Sequence, residues 1–269
     1  MKTLRIWFIS TLIVTGLLTV NGQAKKLYAG FKAGFGVPNL STGAKSTPLN
    51  EDYSSRLGFY SGFVTEIQTR KHFGLHAEVN YSSQGGKRDG IQALPLPSEM
   101  KQLWDMLPYL GISTDGYMYA DINSDAVLNY LEIPLMAKLF FDLGPKLKFY
   151  FNAGPYMGVM LNAKNLTSGR SSIYVDKDGF IPIDMILQLA EQTPIGQQDF
   201  SNNENIINDV HRLNFGGQAA VGLGLTMGSG KLFIEGGGNY GVVPIQKDAV
   251  NGTNKTGAGT VTLGYMFQL

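Results

Sequence analysis

Three histidines, His72, His76 and His211, are the side chains best placed to exchange protons near neutral pH. None sits in a recognisable site. His72 and His76 share one parity of an alternating stretch. By strand rise that places them about 13 Å apart, too far to hold one metal ion. His211 has loop serines, Ser168 and Ser171, as conceivable partners for a base–nucleophile pair, but no motif surrounds them. Asp176-Lys-Asp-Gly179 resembles the start of a calcium loop without its later ligands, and Asp-Gly in a loop is ordinarily a turn. The chain has no cysteine, which excludes disulfides, thiolate metal sites and a cysteine nucleophile. No cofactor is implied.

A second set of polar residues is more informative. Lys32, Glu66, His76, Glu78, Glu132, Lys138, Gln218, Glu235 and Asn239 each occupy the polar parity of a stretch whose other parity is apolar. Val127–Leu161 shows the pattern best. Val127, Leu131, Ile133, Leu135, Ala137, Leu139 and Phe141 alternate with Tyr130, Glu132, Met136 and Lys138. After the turn at 142–146, Leu147, Phe149, Phe151, Ala153, Met157, Val159 and Leu161 alternate with Lys148, Tyr150, Asn152, Gly154, Tyr156 and Gly158. Period-two alternation predicts strands with one apolar face, and the turn predicts a hairpin. Each strand exceeds the usual globular length and reaches the nine to eleven residues or so that a tilted strand needs to cross a bilayer.

The same pattern recurs at 26–37, 55–67, 72–82, 211–226, 231–243 and 259–269, giving eight strands. Their connections run long, short, long, short, long, short, medium. The segments 38–54, 83–126, 162–210 and 244–256 are turn-rich or irregular, with short helices predicted at 98–107 and 181–192. Pro134 and Pro155 fall inside central strands, where each removes a ladder donor, and a β-bulge is expected near each.

An apolar face can point into a soluble barrel or out toward lipid. The opposite face here mixes glycine, tyrosine and a few charges, and it is not a solvated Lys/Glu surface. With the strand lengths and the asymmetric connections, this predicts an all-β fold: an eight-stranded antiparallel transmembrane β-barrel with long extracellular loops. Lys2 and Arg5, the apolar run 6–20 and the small residues before position 25 read as a secretory signal peptide at 1–24, with 25–269 forming one barrel domain. A net charge of +1 and scattered basic residues argue against a nucleic-acid partner. The nine polar residues above become a lumen core that closes the barrel, since eight strands leave room for side chains and little else. In the 83–126 loop, Trp104, Met106, Leu107, Tyr109 and Leu110 form a candidate apolar contact patch.

The segments GLHAEVNYSSQGGK (74–87), NYLEIPLMAKLFF (129–141) and FNAGPYMGVML (151–161) resemble the matching strands of the PorT-like outer-membrane β-barrel family, as do KAGFGVPNLS (32–41) and VTLGYMFQL (261–269). The resemblance covers most of the chain after the signal segment. It implies a barrel in the outer membrane of a gram-negative bacterium. One family member is implicated in type IX secretion, but the shared motifs are scaffold and specify no such role. The expected function is a non-enzymatic, monomeric barrel held in outer-membrane lipid, interacting through its loops with a surface protein or secretion component. The alternatives are a lipid-modifying barrel enzyme, with His211 as base, and a narrow channel.

Overall fold

Period-two patterning becomes a closed ring in the computed structural model, which describes residues 26–43, 45–248 and 252–269. The expected signal segment lies outside the described residues. Among them are eight long strands: β1 (Lys26–Thr42), β2 (Gly58–Arg70), β3 (Phe73–Pro95), β4 (Tyr117–Asp142), β5 (Leu147–Ser168), β6 (Leu213–Met227), β7 (Gly230–Gly241) and β8 (Asn254–Gln268). Each pairs antiparallel with its sequence neighbour, and β1 pairs with β8 from Tyr28↔Gln268 to Thr42↔Asn254. Closure leaves no free sheet edge in the ring. The short connections at 71–72, 143–146 and 228–229 lie at one end with Lys26 and Leu269, the long ones at the other, so the short-turn end is periplasmic by the barrel rule.

Apolar residues point outward all around. Phe31, Phe35, Phe59, Leu75, Leu135, Val221, Ile234, Val261 and Leu263 are exposed, Leu135 at 60%. Their strand neighbours Lys32, Glu66, Glu78, Glu132, Lys138 and Glu235 are buried inside. Lumen glycines make room for lumen rings. A Cβ at Gly222 would fall on the Tyr150 ring and one at Gly264 on the Phe233 ring, so the wall at these points must be bare backbone.

Two expectations need correction. The segment 83–126 is not irregular throughout. β3 and β4 stay paired from Lys87↔Asp125 to Pro95↔Tyr117, leaving only 96–116 as the connection. The alternation continues there with Ala120, Ile122 and Ser124 buried, but Asp121, Asn123 and Asp125 face outward. This part of the wall has a polar outer face, as suits strands that have left the hydrocarbon. β5 likewise runs on to Ser168. Nor do Pro134 and Pro155 cause bulges. The β4–β5 register is the same at Pro134↔Tyr156 and at Ala137↔Ala153, with no bridged pair between, so the missing donors interrupt the ladder without shifting it. The register shift falls instead at Asn129/Tyr130.

An outward apolar residue in mid-strand should resist a charge. Leu135→Arg is expected to cost about 2–4 kcal/mol of folding stability in lipid vesicles. Leu135→Ala should cost far less. Urea titration followed by gel mobility without boiling measures both, and equal midpoints for the two variants would contradict a lipid-facing position.

Candidate functional site

Eight strands bring the polar parity of every strand to one narrow axis, and there the charges sort into three tiers. Nearest the periplasm, Glu66 of β2 holds two lysines. Its Oε2 lies 3.0 Å from Lys138 Nζ of β4, and its Oε1 accepts from Lys231 Nζ of β7. Lys138 also sits 3.7 Å from the Tyr150 ring centroid, and Lys231 3.6 Å from that of Tyr28. Such cation–π contacts partly replace the water that burial removes. In the middle tier one lysine holds two carboxylates: Lys32 Nζ donates to Glu78 Oε1 at 2.7 Å and to Glu235 Oε1 at 3.1 Å. His76 Nε2 lies 2.7 Å from Glu78 Oε1. Asn80 donates to Glu78 Oε2 at 2.6 Å, and Asn152 to Glu235 Oε2 at 2.9 Å.

The outer tier is different. Glu132 is fully buried, and its hydrogen-bond partners are the uncharged side chains of Gln84, Asn239 and Ser82. Gln84 Nε2 donates to its Oε1, and Asn239 Nδ2 lies 3.2 and 3.1 Å from its two oxygens. Gln218 faces the Tyr60 hydroxyl, which also accepts from Asn80 at 2.7 Å. The structure therefore gathers all nine sequence-selected polar residues into the lumen. It adds Tyr60, Asn80, Gln84, Asn152 and Lys231, which share the inward parity and were readable by that rule alone.

The outer loops form a second structure. Residues 96–116 carry α1 (Lys101–Met106), flanked by 3₁₀ turns at Ser98–Met100 and Leu107–Leu110, and the 169–212 connection carries α2 (Ile183–Leu189). Trp104, Leu107, Met118, Ile173, Val175, Ile183, Ile186 and Leu187 make one buried cluster joining the two excursions. This corrects the expected contact patch. Trp104 and Leu107 lie three residues apart on the inward helical face, and Trp104 Nε1 donates to the Tyr117 carbonyl at 3.1 Å. Met106, Tyr109 and Leu110 remain exposed, Tyr109 at 90%. Burial, and then the hydrogen bond to Asp115, push the Tyr119 phenol well above its ordinary pKa in this outer layer.

The catalytic candidates do not assemble. His211 Nδ1 lies 3.0 Å from the Pro244 carbonyl. The Ser171 hydroxyl accepts from Asp121 N and donates to the Ser172 carbonyl, so it is engaged within the loop. The Asp176 carboxylate caps its own turn, accepting from Phe180 N and Ile181 N. Among the described residues no three His, Cys, Asp or Glu side chains gather as a metal-ligand set. At the periplasmic rim slight burial raises the Asp142 pKa. The Lys71 hydrogen bond and the charges of Lys148 and Lys71 outweigh it and hold the carboxyl below the usual aspartate range.

The tiers predict opposite responses to the same change. Glu66→Gln leaves two buried lysines without a carboxylate and should cost about 3–5 kcal/mol. Glu132→Gln keeps the shape and offers a donor to Gln84 Oε1 or Asn239 Oδ1, both without a partner in the structure, and should stay within about 1 kcal/mol of the parent. Unfolding midpoints in vesicles separate the two, and a larger loss at Glu132 than at Glu66 would refute the assignment.

Several known structures align with most of this chain at low identity and low TM-score. Neisserial surface protein A is 11% identical, with a TM-score of 0.40, over 92% of this chain and 100% of its own. Ail, the attachment invasion locus protein of Yersinia pestis, solved with the heparin analogue sucrose octasulfate, is 10% identical, with a TM-score of 0.35, over 91% of this chain and 99% of its own. The outer membrane protease OmpT of Escherichia coli is 8% identical, with a TM-score of 0.30, over 93% and 99%. No curated protein matches the sequence. The model of one family, the outer membrane protein beta-barrel domain, matches residues 21–246, from before β1 to beyond β7. With that match over most of its length and a closed ring of eight antiparallel strands, the chain belongs to the outer membrane protein beta-barrel domain family and is an outer-membrane β-barrel protein.

Proposed function

We propose that this barrel is a non-enzymatic anchor that presents its two long loops to a protein partner outside the cell. The observation that carries this is the shared loop core. Residues 96–116 and 169–212 bury Trp104, Leu107, Ile183, Ile186 and Leu187 together, yet leave Tyr109, Leu110, Phe180 and Leu189 exposed. A loop that only closed the barrel would have no use for a packed interior of its own. A folded platform with large apolar residues left outside is the usual composition of a contact surface. The partner is a surface protein or a secretion component, the barrel acts as a monomer, and export uses a cleaved signal at 1–24. The finer kinship with PorT-like barrels rests on the strand segments quoted above and carries no secretion role with it.

The lumen's carboxylates and lysines serve closure in this reading. Chemistry at the rim finds less support, because His211 and Ser171 are each occupied by other partners. A lipid-modifying activity that required His211 would reverse that choice.

Replacing Tyr109, Leu110, Phe180 and Leu189 with serine should leave the unboiled gel mobility unchanged, since these side chains lie outside the loop core. Cross-linking on intact cells should then recover the partner with the parent chain and lose it with the serine variant. A chain with 96–116 replaced by a short Gly/Ser link should lose it as well. Equal recovery from all three would refute the platform.

A further inference from the structure

The periplasmic mouth of the lumen holds a cavity of about 330 Å³, lined by Lys26, Lys138, Lys148 and Lys231 against a single carboxylate, Glu66. Burial grades along this row of lysines. Lys26 is exposed, Lys148 partly buried, Lys231 nearly buried, and Lys138 1% exposed. Lys148 shares Asp142 with Lys71, at 3.6 and 3.4 Å. Glu66 is already divided between Lys138 and Lys231. An ammonium carries three donors, and the bonds described for these lysines leave several unused. Phe140, Tyr150, Phe233 and Met266 are buried around these lysines and line the cavity with them.

Glu66 is the one carboxylate that lines the cavity and neutralises half of the deep pair; Glu235, which also acts on Lys138 through space, lies in the middle tier and is bonded there to Lys32 and Asn152. Buried positive charge facing an accessible cavity is costly unless an anion can enter. We propose that this cavity is a binding site for an oxyanion of the phosphate class, entering from the periplasmic side, with Lys26 and Lys148 at the mouth and Lys138 and Lys231 receiving the charge. Tyr28 and Phe140 offer ring surface for a small group esterified to the phosphate. Beyond it the lumen is filled by the side chains of the middle tier, which makes it a site and not a passage. The phosphate could be free, as inorganic phosphate or a soluble ester, or could belong to a lipid headgroup at the inner leaflet. The recognising chemistry is the same.

The test uses the full chain in nanodiscs of zwitterionic lipid and titrates inorganic phosphate, then glycerol phosphate, by calorimetry. A parallel arm replaces part of the lipid with phosphatidylglycerol and repeats the phosphate titration. Lys26→Gln with Lys148→Gln removes the mouth charges without touching the Glu66 cluster, so the barrel should keep its gel mobility. Lys101→Gln with Lys177→Gln, in the outer loops, is the charge-matched control. The proposal expects binding to the parent and the control, and a loss of about tenfold or more in the mouth variant. If phosphatidylglycerol suppresses the phosphate signal in the parent and not in the mouth variant, the headgroup is the natural source. If it does not, the source is soluble. Absence of binding to the parent in both arms would overturn the site, and so would equal affinity in parent and mouth variant.

Discussion

A charge inside an eight-stranded barrel must find its counter-charge within the barrel. Beyond the periplasmic mouth the ring is too narrow for bulk water to enter, and the surrounding hydrocarbon offers nothing polar. Much of the interior's arrangement follows from this. Glu66 serves two lysines, Lys32 serves two glutamates, and Glu132, with no lysine in reach, is held by the amides of Gln84 and Asn239. Aromatic rings fill the space between, laid over bare glycine backbone of the neighbouring strand. The tiers differ in sign. Lysines predominate at the periplasmic end and carboxylates farther out, so the interior carries a standing polarity along its axis.

The direction in which each strand residue points was legible from the chain, because side-chain parity is a local property. Lys32 and Phe31, or Glu132 and Leu131, separate by position alone. What each lumen residue touches was not legible. Lys32 meets Glu235 across 203 residues, and Glu66 meets Lys231 across 165. Such pairings depend on strand tilt and stagger around the whole ring, which no local pattern encodes. Parity thus places Gln84 and Lys231 in the lumen, but only the closed ring brings them to Glu132 and Glu66.

The outer parts of β3, β4 and β5 were missed for a different reason. A membrane strand is recognised by its apolar outer face, and Asp121, Asn123 and Asp125 replace that face with a polar one while the ladder continues. Within the loops, helical spacing separated Trp104 and Leu107 from Tyr109 and Leu110. Which of the two faces turned inward depended on α2, which arrives from a segment some eighty positions later. Neither patch residue could have been assigned to core or surface without it.

The pairing across the lumen also bears on how the barrel is made. Lys32 lies on β1 and Glu235 on β7; Glu66 lies on β2, Lys138 on β4 and Lys231 on β7. The first four strands already bring Lys32 to Glu78 and Lys138 to Glu66, but the second partner of each hub, Glu235 for Lys32 and Lys231 for Glu66, lies on β7. A nascent sheet that entered the bilayer before β7 arrived would hold Lys32 and Glu66 each with one of its two ionic partners. The ionic interior is thus begun by the first four strands and completed only by the seventh, so ring closure and charge closure are the same event.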